Sequence, residues 1–250
     1  MKTYSIRRSN QGERHVAQLC LAYRRALDGV PVSGPATPDA ATPRLPRIGE
    51  PAIPFRLRTT LGERSLDDYR GRWLMLFSHP ADFTPVCTSE FIAFAKAYDR
   101  FQALRCDLLG LSVDSLFAHL GWIRSIRDQF GVEVPFPIGE DISMAVATAY
   151  GMMHPADTDT AAVRATFLID TAGIVRLVSY YPMTTGRSVA ELLRALAALQ
   201  ETDASGLSTL ADWQPGEPGV LAPPLTLAEA DERDAAGATA WYYLPQPSHR

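Results

Sequence analysis

The stretch Trp73-Leu74-Met75-Leu76-Phe77-Ser78-His79-Pro80-Ala81-Asp82-Phe83-Thr84-Pro85-Val86-Cys87-Thr88-Ser89-Glu90-Phe91 decides how the rest of the chain is read. Trp73 to Ser78 carries no charge and is apolar almost throughout, the pattern of a strand buried on both faces. Phe91, Phe94, Ala95 and Tyr98 then recur at helical spacing, so Thr88 to Gln102 is expected to be a helix with one buried face. Cys87 falls at the start of that helix. Unpaired backbone N–H groups and the positive end of the helix dipole favour an anion there, and a thiolate is such an anion. The carboxyl end of a strand is also where α/β sheets bind ligands. From position alone, a buried structural cysteine and a reactive one fit equally well.

Working outward, Asp107 to Val113 reads as a second buried strand. Ser115 to Phe130 reads as a helix with Leu116, Leu120, Ile123 and Phe130 on or near one side. Ala165 to Ile169 and Val175 to Tyr181 read as strands joined by the turn Asp170-Thr171-Ala172-Gly173. Ser188 to Gln200 reads as a helix with Ser188 as N-cap and Val189, Leu192, Leu193, Leu196 and Leu199 as its inner stripe. The order is strand, helix, strand, helix, strand, strand, helix. Alternating units imply parallel strands joined by right-handed crossovers, and the last hairpin adds an antiparallel pair. The expected class is therefore α/β, with the thioredoxin-like order.

Three regions are expected. Residues 1–47 form a basic extension and a linker punctuated by Pro31, Pro35, Pro38, Pro43 and Pro46. A helix through Val16, Leu19, Cys20 and Tyr23 is expected in the extension. Gln18, Arg24 and Arg25 interrupt any secretory-type apolar region, while the arginine content leaves an organelle transit peptide open. Residues 48–200 form the α/β domain, and residues 201–250, rich in proline and glycine, form a small C-terminal domain.

Composition narrows the function. The chain has 250 residues, 46% hydrophobic and 21% charged, the balance of a globular protein. A net charge of −4 lacks the basic footprint of a nucleic-acid binder. No apolar run near the middle is long enough to span a bilayer. Three cysteines, Cys20, Cys87 and Cys106, make no disulfide framework or zinc spacing and suit a reducing compartment such as the cytoplasm. The absence of CxxC argues against a disulfide oxidoreductase.

Pro80-x-x-x-Thr84-x-x-Cys87 resembles the active-site motif of the peroxiredoxins, the AhpC/TSA-like thiol-specific antioxidant family. The longer His79-Pro80-x-Asp82-Phe83-Thr84-Pro85-Val86-Cys87-Thr88-x-Glu90 is similar to the 1-Cys group of that family. The resemblance continues through His119-Leu120-x-Trp122, Phe136-Pro137-Ile138, Val163-Arg164, Tyr181-Pro182-x-Thr184-Thr185-Gly186-Arg187 and Asp212-Trp213, covering roughly Ile48 to Pro247. It implies a thioredoxin-like fold and a thiol-dependent peroxidase acting on hydrogen peroxide and organic hydroperoxides. Cys87 would be the peroxidatic cysteine, passing through a sulfenic acid. Thr84 would hydrogen-bond the peroxide, Pro80 would shield the site from water, and Arg164 would stabilise the thiolate and the oxygens. Arg187 is expected as a further substrate contact.

The resemblance also implies partners: a hydroperoxide, an external thiol reductant, and a second copy of the chain in a homodimer or larger homo-oligomer. It implies no metal, haem or flavin. No cysteine follows Cys106, so the C-terminal resolving cysteine of two-Cys relatives is missing; whether Cys20 or Cys106 resolves the sulfenic acid is left open by the sequence. Some relatives are also phospholipases, using a serine just before the strand. Tyr69-Arg70-Gly71-Arg72-Trp73 has none. The alternative from another class is a redox-regulated holdase chaperone of the same fold.

The remaining polar residues have plainer readings. His79, His119, Trp122, Phe136 and Cys106 are expected to be packing or hydrogen-bonding residues. His154 beside Asp157 and Asp159 reads as a polar loop, and Asp67-Asp68 and Asp231-Glu232 as solvated charge. Glu90 is expected one turn into the helix, where it can orient an arginine.

Acidity alone cannot make a fast peroxidase. For thiols in general, lowering a pKa from about 8.5 to about 6 raises the thiolate fraction at neutral pH roughly 30-fold. With a Brønsted slope of about 0.45, the less basic sulfur loses roughly 13-fold in nucleophilicity. The remaining twofold to threefold is small, so positioning and donors aimed at the breaking O–O bond must carry the acceleration.

Overall fold

A computed structural model describes residues 45–153 and 160–247. Its frame is a seven-stranded sheet in the order β2 (Gly62–Ser65), β1 (Arg56–Thr59), β5 (Ile138–Glu140), β4 (Cys106–Ser112), β3 (Trp73–Ser78), β6 (Arg164–Ile169), β7 (Val175–Tyr181). β3, β4 and β5 run parallel; β6 lies antiparallel to β3, and β7 antiparallel to β6. The expected strand order and closing hairpin are present. The hairpin β1–β2 and strand β5 are additions.

The apolar run of β3 is buried at every position because both sheet faces are covered. Leu74 and Leu76 pack on one side with Leu109, Leu111 and Phe167. Met75 and Phe77 pack on the other with Leu108, Leu168 and the helices that follow. Each such side chain withdrawn from water contributes about 1.5–3 kcal/mol before entropy is counted.

Gly110 of β4 lies on the second face. A Cβ there would approach the Phe91 ring to 3.0 Å and the Phe77 ring to 3.4 Å. Those two rings sit 5.5 Å apart, centroid to centroid, and Phe91 anchors the helix that carries Cys87. Gly110→Ala is expected to destabilise the protein by about 1–3 kcal/mol through overpacking, read as a lower midpoint in urea.

Helix α1 (Pro85–Lys96) starts earlier than Thr88 because Pro85 fills its first position and the extended Thr84 precedes it. The single helix expected to reach Gln102 is broken. Ala97 shares its N–H between Ala93 O and Phe94 O, both at 3.1 Å, which tightens the last turn. A second helix, α2 (Tyr98–Ala103), follows. In α3 (Leu116–Phe130) the inward residues are His119, Trp122 and Ile126, while Leu120 is 37% and Phe130 58% exposed. The expected apolar face was rotated: the residues that meet the sheet include a histidine.

A short helix α4 (Ala145–Ala149) covers the first face. Helix α5 (Val189–Ser205) begins at the Ser188 cap, whose hydroxyl accepts from Glu191 N–H, and runs past Gln200 to a left-handed Gly206 at φ 71°. Beyond it come β8 (Gly219–Val220), α6 (Leu227–Ala235) and β9 (Pro245–Gln246), with β8 and β9 paired. Trp213 fixes this segment to the domain by packing on Ala197 and Ala198 of α5. The expected N-terminal helix, Cys20, prolines 31 to 43, His154, Asp157 and Asp159 lie outside the described residues. No helix among the described residues is long and apolar enough to cross a membrane.

Candidate active site

The loop 79–84 links the end of β3 to the first turn of α1. Thr84 is extended (φ −100°, ψ 149°) and caps α1 without a side-chain bond to the helix, because its hydroxyl donates to Ala81 O at 2.9 Å. Thr88 N–H is the first to reach back, to Thr84 O at 2.9 Å, so the Cys87 N–H stands among the free donors of the first turn. No acidic residue occupies that turn. No carboxylate of that turn competes for the positive end of the dipole.

Cys87 is 0% exposed, yet it is not sealed in hydrocarbon. Arg164 Nη1 lies 3.3 Å from Cys87 Sγ and donates to it. The same nitrogen donates to Glu90 Oε2 at 2.7 Å. Arg164 Nε and Nη2 both donate to Met183 O, at 3.1 and 2.7 Å. The guanidinium is thus fixed on three sides before any substrate arrives. Pro80, in the loop leading to α1, is buried.

Arg187 stands behind Glu90. Its Nε and backbone N–H donate to Glu90 Oε1 at 2.8 Å each, and its Nη2 to Oε2 at 2.9 Å. Its Nη1 reaches Ala165 O and Thr166 Oγ, and its guanidinium lies over the Phe77 ring at 5.1 Å. The contacts of Arg187 therefore run to Glu90 and the sheet, not to the thiol. The substrate contact expected from sequence would have to be made from behind Glu90, since no hydrogen bond links Arg187 to Cys87 among the described residues. Burial pushes the Glu90 pKa up, but hydrogen bonds from Arg187 and the charges of Arg187 and Arg164 outweigh it and leave the carboxyl below its ordinary range. Glu90, Arg164 and Arg187 carry a net single positive charge in a buried place.

A second buried polar group lies on the same loop. His79 Nε2 is 2.9 Å from Asp82 Oδ1, and His119 Nδ1 is 2.7 Å from Asp82 Oδ2. Burial lowers the pKa of His79. Burial raises that of Asp82, but the hydrogen bonds from His119 and His79 prevail and hold it below the ordinary carboxylate range. From sequence both histidines are expected as packing or hydrogen-bonding residues, unconnected to each other. The His79-x-x-Asp82 spacing was the local signal; the second histidine is brought in by α3.

Cys106 begins β4, paired with Trp73 at the far end of β3. Five residue steps of strand separate that end from Ser78, about 17 Å at 3.3–3.4 Å each. Burial pushes the Cys106 thiol strongly up. It is a filler of the second face, as expected.

The AhpC/TSA family model matches residues 48–178. A peroxiredoxin of Aquifex aeolicus is 49% identical over 212 residues, covering 79% of this chain and 95% of its own length. The chain belongs to the peroxiredoxin family. Peroxiredoxin 2 of Caldanaerobacter subterraneus subsp. tengcongensis is 48% identical over 202 residues, covering 79% of this chain and 91% of its own. Among solved structures, a yeast mitochondrial 1-Cys peroxiredoxin, studied for thiol resolution by the glutathione and thioredoxin systems, superposes with a TM-score of 0.72 at 37% identity. The match covers 81% of this chain and 99% of that one. Peroxiredoxin 6 of Arenicola marina gives a TM-score of 0.71 at 31% identity, covering 82% and 99%. This peroxiredoxin is a thiol-dependent peroxidase with the thioredoxin-like fold of its family.

Proposed function

We propose that this peroxidase runs a one-cysteine cycle on Cys87. The observation that carries the reading is the Arg164 Nη1 to Cys87 Sγ contact of 3.3 Å at the mouth of α1, held from behind by Glu90. The thiolate attacks one oxygen of ROOH, a new S–O bond forms and the O–O bond breaks. The sulfur becomes Cys–SOH, and the departing RO⁻ takes up a proton to leave as ROH. Arg164 has donors fixed beside the sulfur, where charge passes to oxygen as the bond parts. The Thr84 hydroxyl spends its proton on Ala81 O, so its lone pairs remain to accept the peroxide O–H. Pro80, buried beside the thiol loop, keeps bulk water back.

The sulfenic acid is resolved from outside. One external thiol displaces water to give a mixed disulfide, and a second releases Cys87 as the thiol. The glutathione and thioredoxin systems named for the yeast relative supply thiols of this class. A cysteine pair needs Cα atoms within about 7 Å, and Cys106 pairs with Trp73, at the opposite end of β3 from the loop that leads to Cys87. The setting is a reducing cytoplasm, with the chain assembled as a homodimer or larger homo-oligomer.

The test is intact mass after one equivalent of hydrogen peroxide. The expected product gains one oxygen, mapped to Cys87. Loss of two hydrogens, with a cross-link to Cys20 or Cys106, would replace the external thiol by an internal resolver. Cys106→Ala is expected to leave steady-state turnover within about twofold of wild type, with any change confined to stability.

A further inference from the structure

Asp82 belongs to no step written above, yet it is buried and joins three parts of the fold. Its carboxylate meets His79, at the end of β3, and His119, in α3. Its backbone N–H donates to Asp114 Oδ2 at 2.9 Å, in the loop before α3. The other ring nitrogens, His79 Nδ1 and His119 Nε2, are buried without a hydrogen-bond partner. A neutral imidazole has one N–H. If those protons sat on the far nitrogens, two N–H donors would be orphaned and the carboxylate would face two lone pairs. The network therefore assigns the protons to the nitrogens that face Asp82. The same three side chains form a grouping with metal-ligand chemistry, their donor atoms within 4.8 Å of one another. Hydrogen bonds of 2.9 and 2.7 Å account for both facing nitrogens without an ion.

The clamp bears on the loop that precedes the thiol. Phe83, the next residue, is held at φ 56°, a left-handed conformation that bulky residues disfavour. Its ring rests against Gly121 of α3, where a Cβ would come within 3.6 Å. Thr84 follows directly, and Pro80 lies inside the clamped segment. His79 is further fixed by stacking on Trp122 at 5.1 Å, whose Nε1 donates to Thr88 Oγ at 3.2 Å. Loop, α1 and α3 are thereby tied around the sulfur.

We propose that Asp82 is a positioning residue for peroxide reduction: by accepting from His79 Nε2 and His119 Nδ1 it holds the 79–84 loop, and with it Thr84 and Pro80, in register with Cys87. The inference rests on the one-cysteine reading of the site. A peroxide must meet Thr84, Arg164 and the sulfur together, whereas a simple alkylating agent needs the sulfur alone. Loss of the clamp therefore separates the two reactions.

The experiment compares Asp82→Asn with wild type in two rates, oxidation of Cys87 by hydrogen peroxide and alkylation of Cys87 by iodoacetamide. Asparagine keeps the shape but turns an N–H toward one imidazole. Oxidation is expected to fall about tenfold to hundredfold, with alkylation changed by less than about twofold. His119→Asn, whose amide N–H occupies the place of Nδ1, is expected to keep oxidation within about threefold of wild type, while His119→Leu matches Asp82→Asn. Unchanged oxidation in Asp82→Asn, a parallel fall in both rates, or equal losses in His119→Asn and His119→Leu would overturn the proposal. If Asp82→Asn does not fold, the His119 pair decides alone. A wild-type protein that gains no oxygen at Cys87 defeats the one-cysteine reading instead, and that is seen before any variant is made.

Discussion

Cys87→Ser is expected to remove peroxide turnover, with a loss on the order of ten-thousandfold or more, as for other enzymes stripped of their nucleophile. A serine hydroxyl stays protonated at neutral pH, so nothing at position 87 attacks the O–O bond. The fold should survive. The side chain is wholly buried but small, and oxygen accepts the Arg164 N–H that sulfur accepts now. The same variant separates the peroxidase from the holdase alternative, because a constitutive holdase keeps its client binding without the thiol. Peroxide consumption with an excess of small thiol, measured beside thermal unfolding, is the check. Turnover that persists in Cys87→Ser would move the nucleophile to another residue.

The parts of this molecule that were legible in the sequence are those in which one segment carries its own signal. Trp73 to Ser78 announced a doubly covered strand because every position is apolar or small, and every position is buried. Cys87 in the first turn of a helix was legible from the strand before it and the periodicity after it. The hairpin β1–β2 was not. Its sequence, Arg56-Leu57-Arg58-Thr59 and Gly62-Glu63-Arg64-Ser65, is that of a charged edge with a single fully apolar residue. Strand β5 spans three residues and takes its place from pairing with β4. Helix α3 misled for a different reason. Hydrophobicity ranked Leu120 and Phe130 above His119, whereas Asp82 supplies the partner that makes a histidine the better buried residue. The Arg164–Glu90–Arg187 and His79–Asp82–His119 groups join residues far apart in the chain. Beyond the local His79-x-x-Asp82 spacing and the helical place of Glu90, composition and spacing do not say which distant partners meet; the sheet and α3 bring them together.

The second large effect is expected at Arg164, and it tests what the guanidinium does. Arg164→Ala should slow peroxide oxidation of Cys87 by about a hundredfold to a thousandfold, the usual cost of one preorganised donor at a developing charge. The protein should still fold, because Glu90 keeps its bonds from Arg187 Nε, Nη2 and backbone N–H and is not left as an unpaired buried carboxylate. Arg164→Lys should recover part of the loss at most. A single ammonium cannot hold Met183 O, Glu90 and the sulfur at once, as the guanidinium does with three nitrogens. Two contributions are separable here. If Arg164 merely favoured the thiolate, raising the pH until alkylation by iodoacetamide levels off would restore full peroxide reactivity to the alanine variant. If it acts on the oxygens as their bond breaks, most of the loss persists on that plateau. The thiol arithmetic favours the second outcome, since ionisation is worth only twofold to threefold once the weaker nucleophile is counted. Full recovery at high pH would return the catalytic advantage of this site to the acidity of its sulfur.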